Sequence, residues 1–350
     1  MKSNYEPLGK HIRLVDYRNS EEVTSTVLGI SIDKEFMPSV ANVIGTDLSR
    51  YKLISKGLFA CNPMHVGRDE RLPIALYEKD NASIVSPAYF MFEIIDRDVL
   101  NEEYLMMWFR RPEFDRECWF MTDGSVRGGI TWDDLCRIQL PVPPYERQLD
   151  VVESYRAITR RIAMKKEIND NLEAVLAASH SKMFFSKDTS EHSKLGELMT
   201  FGNGKSRPKT DGTIPVYGGN GVLSYTDQHN IENAVLIGRV GAYCGSVYLE
   251  QGICWVSDNA IFAKSKITKD EFFDYFLLKR LNLFNHHVGT GQQLLTQEIL
   301  NNIEVPKPVT EQIELFNRKA ASVFGTIFTN SREIIRLQEL SDLLLSRLSG

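Results

Sequence analysis

Two stretches of the chain are nearly the same and decide how it folds: GSVRGGITWDDLCRIQLPVPP at 124–144 and GTGQQLLTQEILNNIEVPKP at 289–308. Six residues of the first stretch recur in the second, each 165 positions later. They are Gly124, Thr131, Leu135, Ile138, Pro141 and Pro143, which return as Gly289, Thr296, Leu300, Ile303, Pro306 and Pro308. Since a repeat of this kind marks a duplicated structural unit, the chain is predicted to consist of two related halves.

Each copy ends in a P-x-P motif, and a long helix is predicted after it, over 144–188 and over 309–350. The second helix keeps the alternating spacing of three and four residues that is typical of a coiled-coil seam. Its seam comprises Ile313, Phe316, Ala320, Val323, Ile327, Asn330, Ile334, Leu337, Ser341, Leu344 and Leu348. The first helix has a looser stripe, namely Leu149, Val152, Tyr155, Ile158, Ile162, Leu172, Val175 and Met183, with Lys165 in the place of Asn330.

We predict that the two helices pair with each other, in which case the polar residues Lys165 and Asn330 could face each other. A helix of about 40 residues is ~60 Å long, which exceeds the width of a small domain. The alternative is that each helix packs only on its own globule. The residues expected to pair are Ile158, Ile162 and Leu172 on the first helix and Ile327, Asn330, Ile334 and Leu337 on the second.

The remaining segments, 1–143 and 189–308, mix strand and helix patterns in the same order. The second has strand-like runs (AVLIGRV, GSVYLEQ, AIFAKSK) before a helical pattern around KDEFFDYFLLKRLNLF. The first has ASIVSPAYFMFEII before NEEYLMMWFRRPEF, and both segments carry an early Leu-Gly pair, at Leu8 and Leu195. The predicted fold class is therefore α+β: two homologous mixed α/β globules joined by two long helices in an antiparallel coiled coil, with pseudo-two-fold symmetry.

Composition limits the possible partners and the compartment. The net charge is −5, and neither globule has an excess of Lys and Arg, with 17 against 22 acidic residues in 1–143 and 10 against 11 in 195–308. Binding to nucleic acid would thus have to come from focused loops rather than from bulk charge. The five cysteines contain no C-x-x-C pair, and no stretch approaches the ~20 apolar residues of a membrane span. We expect a cytoplasmic protein without a membrane partner.

With these features the chain resembles the specificity (S) subunits of Type I restriction-modification enzymes over essentially its whole length. The resemblance is carried by LPVPPYERQ and VPKPVTEQ, by the helix ends SKMFF and LLSRLSG, and by IPVYGGNGVLSYTDQHNIENAVLIGRVGAYCG at 214–245. It implies two target recognition domains, 1–143 and 189–308, that each read half of a split, asymmetric site on double-stranded DNA. It also implies that the spacer helices dock two methyltransferase subunits, which restriction subunits join.

Motifs for independent chemistry are missing from the sequence. The nearest approaches to a methyltransferase D/N/S-P-P-Y/F tetrad, CNPMH and SPAYF, lack its second proline, and GGNG at 218–221 lacks the Lys-Ser/Thr of a phosphate-binding loop. The neighbouring His286 and His287 have no carboxylate or thiol companions for a metal site. We therefore predict no catalytic residue, no metal and no cofactor.

Base reading needs forked or amide side chains, and phosphate contacts need cations, small polar groups or backbone N–H groups. In the second globule such residues cluster in GNGKSRPKT, YGGNG, GRVGAYCG and the loop before 294. The candidates are Lys205, Arg207, Lys209, Tyr217, Asn220, Arg239, Tyr243, Gln292 and Gln293. For each loop the alternative is an ordinary solvated loop or structural turn.

The first globule offers matching loops, NPMHVGRDER and GSVRGG. Its candidates are His65, Arg68, Ser125 and Arg127, with Arg71 nearby, although RDER could satisfy itself by local ion pairs. Arg127 follows Gly124 by three residues, as Gln292 follows Gly289. Equivalent positions thus carry different base-reading chemistry, as two different half-sites would require.

Two other functions compete with this interpretation. The chain could be a coiled-coil assembly or adaptor protein with two protein-binding domains, which its acidic charge favours. It could also be a standalone endonuclease or methyltransferase, which its motifs disfavour.

Overall fold

The computed structural model describes residues 5–349 apart from 42, 44, 65, 123–127, 187–190 and 290. The chain forms two compact units, Met1–Met164 with Glu333–Gly350, and Lys165–Arg332. Each unit contains one globule together with a segment of each long helix. This division differs from the four consecutive segments suggested by the sequence, because both long helices run through both units.

The first globule consists of short strands and four helices, followed by a long helix. In chain order they are β1 (Tyr5–Pro7), β2 (Ile12–Leu14), β3 (Val27–Ile30), β4 (Phe36–Pro38), β5 (Lys52–Ile54), β6 (Phe59–Cys61), α1 (Val66–Asp69), β7 (Ile74–Leu76), β8 (Ser83–Val85), β9 (Phe90–Ile94), α2 (Glu102–Phe109), α3 (Pro112–Phe120), α4 (Trp132–Arg137), β10 (Gln139–Pro141) and the long helix α5 (Tyr145–Phe184). The strands form the sheets β2-β9-β6-β7, β4-β3-β8-β5 and the pair β1-β10.

The second globule has fewer but longer strands. They are β11 (His192–Lys194), β12 (Met199–Asn203), β13 (Ile214–Gly218), β14 (Gly221–Thr226), β15 (Ile231–Gly238), β16 (Val247–Val256), β17 (Ala260–Ser265) and β18 (Glu304–Pro306), with helices α6 (Leu195–Leu198), α7 (Phe272–Arg280) and α8 (Gln297–Asn302) before the long helix α9 (Thr310–Ser346). Six of these strands form one sheet in the order β12-β17-β15-β16-β13-β14, and β11 pairs with β18.

The two globules share one strand order. The sheet β2-β9-β6-β7 of the first corresponds to β12-β17-β15-β16 of the second. A hairpin follows the first sheet strand in each globule, β3-β4 or β13-β14, and it pairs in parallel with β8 or with the end of β16. The globules differ in the continuity of these strands. In the second globule β15 and β16 are each one unbroken strand, and their pairing shifts register between Glu232 and Ala234. In the first globule the strand that corresponds to β15 is divided into β5 and β6, which are separated by a turn with Gly57 at φ +85°.

The repeated stretches form the frame that closes each globule. Thr131 Oγ1 accepts from Asp134 N at the start of α4 (3.1 Å), and Thr296 Oγ1 accepts from Ile299 N at the start of α8 (3.2 Å). The strand that follows each helix pairs with the first strand of its globule, β10 with β1 and β18 with β11. The repeat therefore has a structural cause, since a helix cap and a closing strand are needed twice.

The early Leu-Gly pairs belong to the same frame. Leu8 N donates to Ile138 O (2.8 Å), and Leu195 N donates to Ile303 O (2.9 Å). A Cβ on Gly9 would lie 2.7 Å from Cys136 Cβ, and one on Gly196 would lie 2.6 Å from Asn301 Oδ1. A side chain at Gly9 would collide with Cys136, where the 3-10 helix Leu8–Lys10 packs on α4, and one at Gly196 would displace the Asn301 side chain of α8.

Each unit has its own apolar core, to which both long helices contribute. In the first unit, Phe59 stacks on Phe92 (5.1 Å between ring centres), and Val152 of α5 and Leu345 of α9 belong to the same cluster. In the second, Phe316 of α9 packs with Phe276 of α7 (5.7 Å). Burial of such side chains contributes about 1.5–3 kcal/mol each. Within the described residues, no helix is long and apolar enough to cross a membrane.

Polar residues on the two long helices meet inside the second unit. Lys165 Nζ donates to Asn330 Oδ1 (2.8 Å), and Asn330 Nδ2 donates to Asn169 Oδ1 (2.8 Å). The prediction that Lys165 and Asn330 face each other is confirmed. Inside the first unit, Arg161 Nε donates to Glu333 Oε1 (2.6 Å).

The stripe predicted for α5 was wrong at two positions. Val175 is 66% exposed and Leu149 is 37% exposed, whereas Leu176 is 5% exposed and belongs to the core. Because the helix turns by 3.6 residues, a step of four from Leu172 leads to Leu176 and a step of three leads to the solvent side. Among the residues predicted to pair, Asn330 and Ile334 are buried, and Ile158, Ile162, Leu172, Ile327 and Leu337 are half-buried.

Candidate nucleic-acid interface

Three predicted loops of the second globule converge on one turn, between β16 and β17. Lys205 N donates to Val256 O (2.9 Å), Ser257 N donates to Tyr217 O (2.9 Å), and Arg239 N donates to Asn259 O (3.0 Å). These backbone bonds place GNGKSRPKT, YGGNG and GRVGAYCG beside each other. The turn itself presents Asp258 and Asn259 to solvent.

The loop that carries the predicted glutamines joins the same cluster. Leu295 N donates to Arg239 O (2.9 Å), and Gly241 N donates to Gln293 O (3.0 Å). Gln292 is exposed, and Tyr243 is 50% exposed on the neighbouring loop. All four sequence-predicted loops of this globule therefore lie at one end of its sheet, which we call the 257–259 end.

Glycines allow these backbones to approach so closely. A Cβ on Gly204 would lie 2.0 Å from Ser257 O, and a Cβ on Gly238 would lie 2.1 Å from Tyr243 O. Both distances are far below van der Waals contact with backbone atoms that cannot move freely. The loops of the 257–259 end are thus held by direct backbone packing.

The charged and polar side chains at the 257–259 end differ in their exposure and in their intramolecular bonds. Lys205, Arg207 and Lys209 are exposed, and none forms an ion pair with a described residue. Asn220 is exposed in the β13–β14 turn. Exposed cations and an exposed amide are the groups that contact phosphates and base edges.

Two other candidates already have intramolecular partners. Tyr217 is half-buried, and its hydroxyl donates to Glu250 Oε2 (2.9 Å); burial, with Glu250 beside it, raises the pKa of the phenol. Arg239 is half-buried, and its Nη1 donates to Asp258 O (3.4 Å). Both side chains stabilise the 257–259 end, so a role in direct contact would require them to exchange partners.

In the first globule, matching backbone bonds join the loop after β6 to residues 128–130, which directly precede α4. Ile130 N donates to Pro63 O (3.1 Å), as Leu295 N does to Arg239 O. Gly67 N donates to Gly128 O (3.0 Å), as Gly241 N does to Gln293 O. The loop after β6 and the loop before α4 therefore occupy the place that the loops after β15 and before α8 occupy in the second globule.

Among the described residues, the candidate arginine of the first globule and its neighbour Arg71 are paired, unlike Lys205, Arg207 and Lys209 of the second globule. Arg68 donates from Nε and Nη2 to both carboxylate oxygens of Asp69 (2.6 and 2.9 Å), and Arg71 Nη1 donates to Asp33 Oδ1 (3.3 Å). The alternative that RDER satisfies itself by ion pairs is confirmed for Arg68. The remaining candidates His65, Ser125 and Arg127 lie outside the described residues.

A buried ion pair in the first globule was not foreseen from the sequence. Lys34 is 5% exposed, and its Nζ donates to Asp115 Oδ1 (2.5 Å) and to Leu72 O (3.0 Å). Asp115 Oδ1 also accepts from Leu72 N (3.0 Å). We call these three residues the 34–115 clamp, because it ties the β3–β4 turn and the end of the 62–72 loop to α3. Lys34 has φ +65°, which a lysine adopts only when other contacts hold it there.

The signals for these missed residues were weak. Lys34 and Asp115 lie 81 positions apart, and nothing near either residue indicates burial. By contrast, the 257–259 turn could have been found, since VSDNAIF at 256–262 aligns with VSPAYF at 85–90. In the part of the chain that the structure describes, no group of three or more His, Cys, Asp or Glu residues is placed to hold a metal ion.

Comparison with known proteins agrees with this architecture. Residues 187–340 match the family described as Type I restriction modification DNA specificity domain. The S subunit of a Type I restriction-modification system from M. genitalium has a similar structure, with a TM-score of 0.60 and 14% identity over 98% of this chain and 95% of that chain. No curated protein matches the sequence.

Two further solved structures are similar at lower scores. An HsdS subunit from Thermoanaerobacter tengcongensis gives a TM-score of 0.38 with 16% identity, over 99% of this chain and 97% of that chain. A structure described for complex assembly and conformational transition of the type I R-M system gives 0.47 with 18% identity, over 98% and 96%. Residues 187–340 therefore match the family of Type I restriction-modification DNA specificity domains, and the predicted resemblance to the specificity subunits of these systems is confirmed.

Proposed function

We propose that this chain recognises a bipartite, asymmetric DNA site, with one half read by each globule. The observation that carries the proposal is the pair of matching loop clusters, joined by equivalent backbone bonds at Pro63 and Ile130 and at Arg239 and Leu295. Equivalent scaffolds with different exposed side chains are suited to reading two different sequences.

In the second globule, Gln292 and Asn220 would read base edges, since an amide can make the bidentate contact to adenine. Lys205, Arg207 and Lys209 would hold the phosphate backbone, because they are exposed and lack acidic partners among the described residues. Tyr243 and Gln293 would support these contacts from the same end of the sheet.

In the first globule, Arg127 would take the place of Gln292 and contact guanine through its two forked N–H groups. Ser125 and His65 are proposed on the adjoining loops. Arg68 is proposed as a weaker phosphate contact, since Asp69 already neutralises it. The two half-sites would therefore differ at the base pair that faces position 127 or 292.

The long helices would act as an antiparallel coiled coil that sets the distance between the half-sites. Supporting this, Lys165 and Asn330, which occupy equivalent places in the repeat, bond to each other. A residue that meets its own repeat equivalent is the behaviour of a pseudo-two-fold axis. An approximate two-fold subunit would offer two similar docking surfaces, and hence would bind two methyltransferase subunits, which restriction subunits join.

The chemistry would belong to these partner subunits, and this chain would supply the sequence preference in the cytoplasm, where its DNA lies. The alternative function is an adaptor whose globules bind proteins. The exposed cations Lys205, Arg207 and Lys209, which form no ion pair with a described residue, favour DNA over a protein partner.

Binding of the purified chain, alone and assembled with its methyltransferase subunits, to duplex DNA over a range of salt concentrations separates the two functions. We expect methyltransferase subunits to co-purify and the duplex affinity to fall steeply with salt, as counterion release requires. An adaptor would bind duplex weakly and independently of sequence in both forms, which would contradict the proposal.

A further inference from the structure

Each long helix inserts one buried amide side chain into the globule that precedes it. These residues are Gln148 of α5, which is fully buried, and Asn317 of α9, which is 2% exposed. Amides buried at a helix surface are costly unless all their polar atoms are bonded. Both of these are bonded in full, and in the same manner.

Gln148 joins α5 to the start of α2. Its Oε1 accepts from Asn101 N (2.9 Å), and its Nε2 donates to Val99 O (2.9 Å) and Pro143 O (2.8 Å). Asn101 is the N-cap of α2, since its own Oδ1 accepts from Glu103 N and Tyr104 N. The amide thus holds the capping residue of α2 and the proline that leads into α5.

Asn317 joins α9 to the start of α7 even more directly. Its Oδ1 accepts from Phe273 N (2.8 Å), and its Nδ2 donates to Thr268 Oγ1 and to Asp270 O (both 2.9 Å). The N-cap residue of α7, Glu271, makes no capping bond with its own side chain. Asn317 therefore supplies from α9 the acceptor that the first turn of α7 lacks.

We propose that Gln148 and Asn317 are positioning residues that fix the angle of each globule on its spacer helix, and thereby set the gap between half-sites that the protein accepts. The proposal rests on the bipartite DNA recognition proposed above. A spacer helix can measure distance only if the globule at its base does not swivel. Two amides that each make three bonds to the first turn of the globule's helix and the chain around it supply that restraint.

This restraint predicts that the preferred gap between half-sites can be changed without changing the preferred bases. Neither amide bonds to a described residue of the reading loops, since Gln148 bonds to residues 99, 101 and 143 and Asn317 bonds to residues 268, 270 and 273. Loss of an amide should therefore widen the range of half-site spacings that the protein binds and leave the preferred bases of each half-site unchanged. A residue that merely stabilised the fold would weaken binding to all gaps and all sequences alike.

The variants are Gln148→Ala and Asn317→Ala, with Gln148→Met and Asn317→Leu as changes that keep most of the side-chain volume, lose the hydrogen bonds and bury no charge. Gln312→Ala is the matched control, since Gln312 is an exposed amide on the same part of α9. Circular dichroism melting identifies variants that remain folded. If an alanine variant does not fold, its counterpart with Met or Leu is used for the measurements below.

The first measurement is binding of the complex with methyltransferase subunits to duplexes that carry the recognised site with its gap shortened by one base pair, unchanged, or lengthened by one. For the wild type and Gln312→Ala we expect one strongly preferred gap. For either positioning variant, the preference over neighbouring gaps should fall about tenfold, the effect of one buried hydrogen bond. An unchanged gap preference in a folded variant, or an equal loss of base preference, would overturn the proposal.

The second measurement needs no DNA. Spin labels at exposed positions 79, in the first globule, and 163, on α5, report the distribution of distances between them. Gln148→Ala or Gln148→Met should broaden this distribution, and Gln312→Ala should not. If the wild-type complex binds no bipartite duplex but Gln148→Ala broadens the distribution, the DNA function fails and the restraint stands. If duplex binding is bipartite and the distribution stays narrow, the restraint fails and the DNA function stands.

Discussion

The two globules hold the same hairpin turn by opposite means. In the first globule the β3–β4 turn is tied down by a buried charge, Lys34 on Asp115 of α3. In the second the corresponding β13–β14 turn is a glycine run, and the loops around it are packed backbone against backbone, as at Gly238 on Tyr243 O. The same strand order thus allows the hairpin turn to be held by an ion pair or by close backbone packing. Because neither device uses the exposed side chains, these can differ between the two globules.

The largest effect is expected from breaking the ionic fixation. Lys34→Met leaves Asp115 buried without its charge partner and should destabilise the first unit by about 3–5 kcal/mol. Urea unfolding measures this loss. Lys56→Met is the control, because the Lys56–Asp80 pair is exposed to solvent and should contribute little to stability. Equal effects of both changes would mean that the 34–115 clamp is not what holds the turn.

The second effect tests the steric fixation. Gly238→Ala would place a Cβ against Tyr243 O and should destabilise the second unit by about 1–3 kcal/mol through overpacking. Gly291→Ala is the matched control in the adjoining loop, since a Cβ there meets nothing within 4 Å. Thermal melting compares the two. A Gly238→Ala variant as stable as Gly291→Ala would contradict the close backbone packing.

The third prediction asks whether the halves read different bases. Arg127→Ala should relax recognition in one half-site and Gln292→Ala in the other, each by about 1–3 kcal/mol. Binding to duplexes with single base-pair changes in either half gives the profile. Loss of discrimination in both halves from one substitution would show that the globules do not read separately.

The smallest effect concerns the phosphate contacts. Replacing Lys205 by Ala should reduce the slope of log affinity against log salt by about 0.9, the value for one phosphate. Arg68→Ala should change it less, because Asp69 already pairs with Arg68. Titrations at several salt concentrations provide both slopes, and a larger change for Arg68 would reverse the assignment of free and neutralised cations.

Much of the frame could be predicted from the sequence because its determinants are local. Thr131 and Thr296 each accept a bond from the backbone N–H three residues later, and the P-x-P motifs directly precede α5 and α9. The spacing of these residues therefore indicates both helix starts. The facing of Lys165 and Asn330 could also be inferred, since the two residues lie 165 positions apart and occupy equivalent places in the repeat.

The remaining features depend on contacts between distant parts of the chain. Gln148 and Asn317 look like ordinary polar residues near helix starts, and only the fold shows that they are buried against α2 and α7. Whether an arginine is paired with a carboxylate likewise depends on how the local backbone orients the two side chains, as Arg68 and Asp69 show. Val175 was misassigned because the stripe on α5 is interrupted by polar residues and its register cannot be counted through them.

The central claim is that one chain reads two different half-sites at a fixed gap. Methylome sequencing of a host that expresses the chain with its methyltransferase subunits tests it most directly. The account predicts one methylated motif made of two unlike specific parts with an unspecified gap of constant length, altered in one part only by Gln292→Ala. A continuous or palindromic motif, or no methylation that depends on this chain, would contradict it.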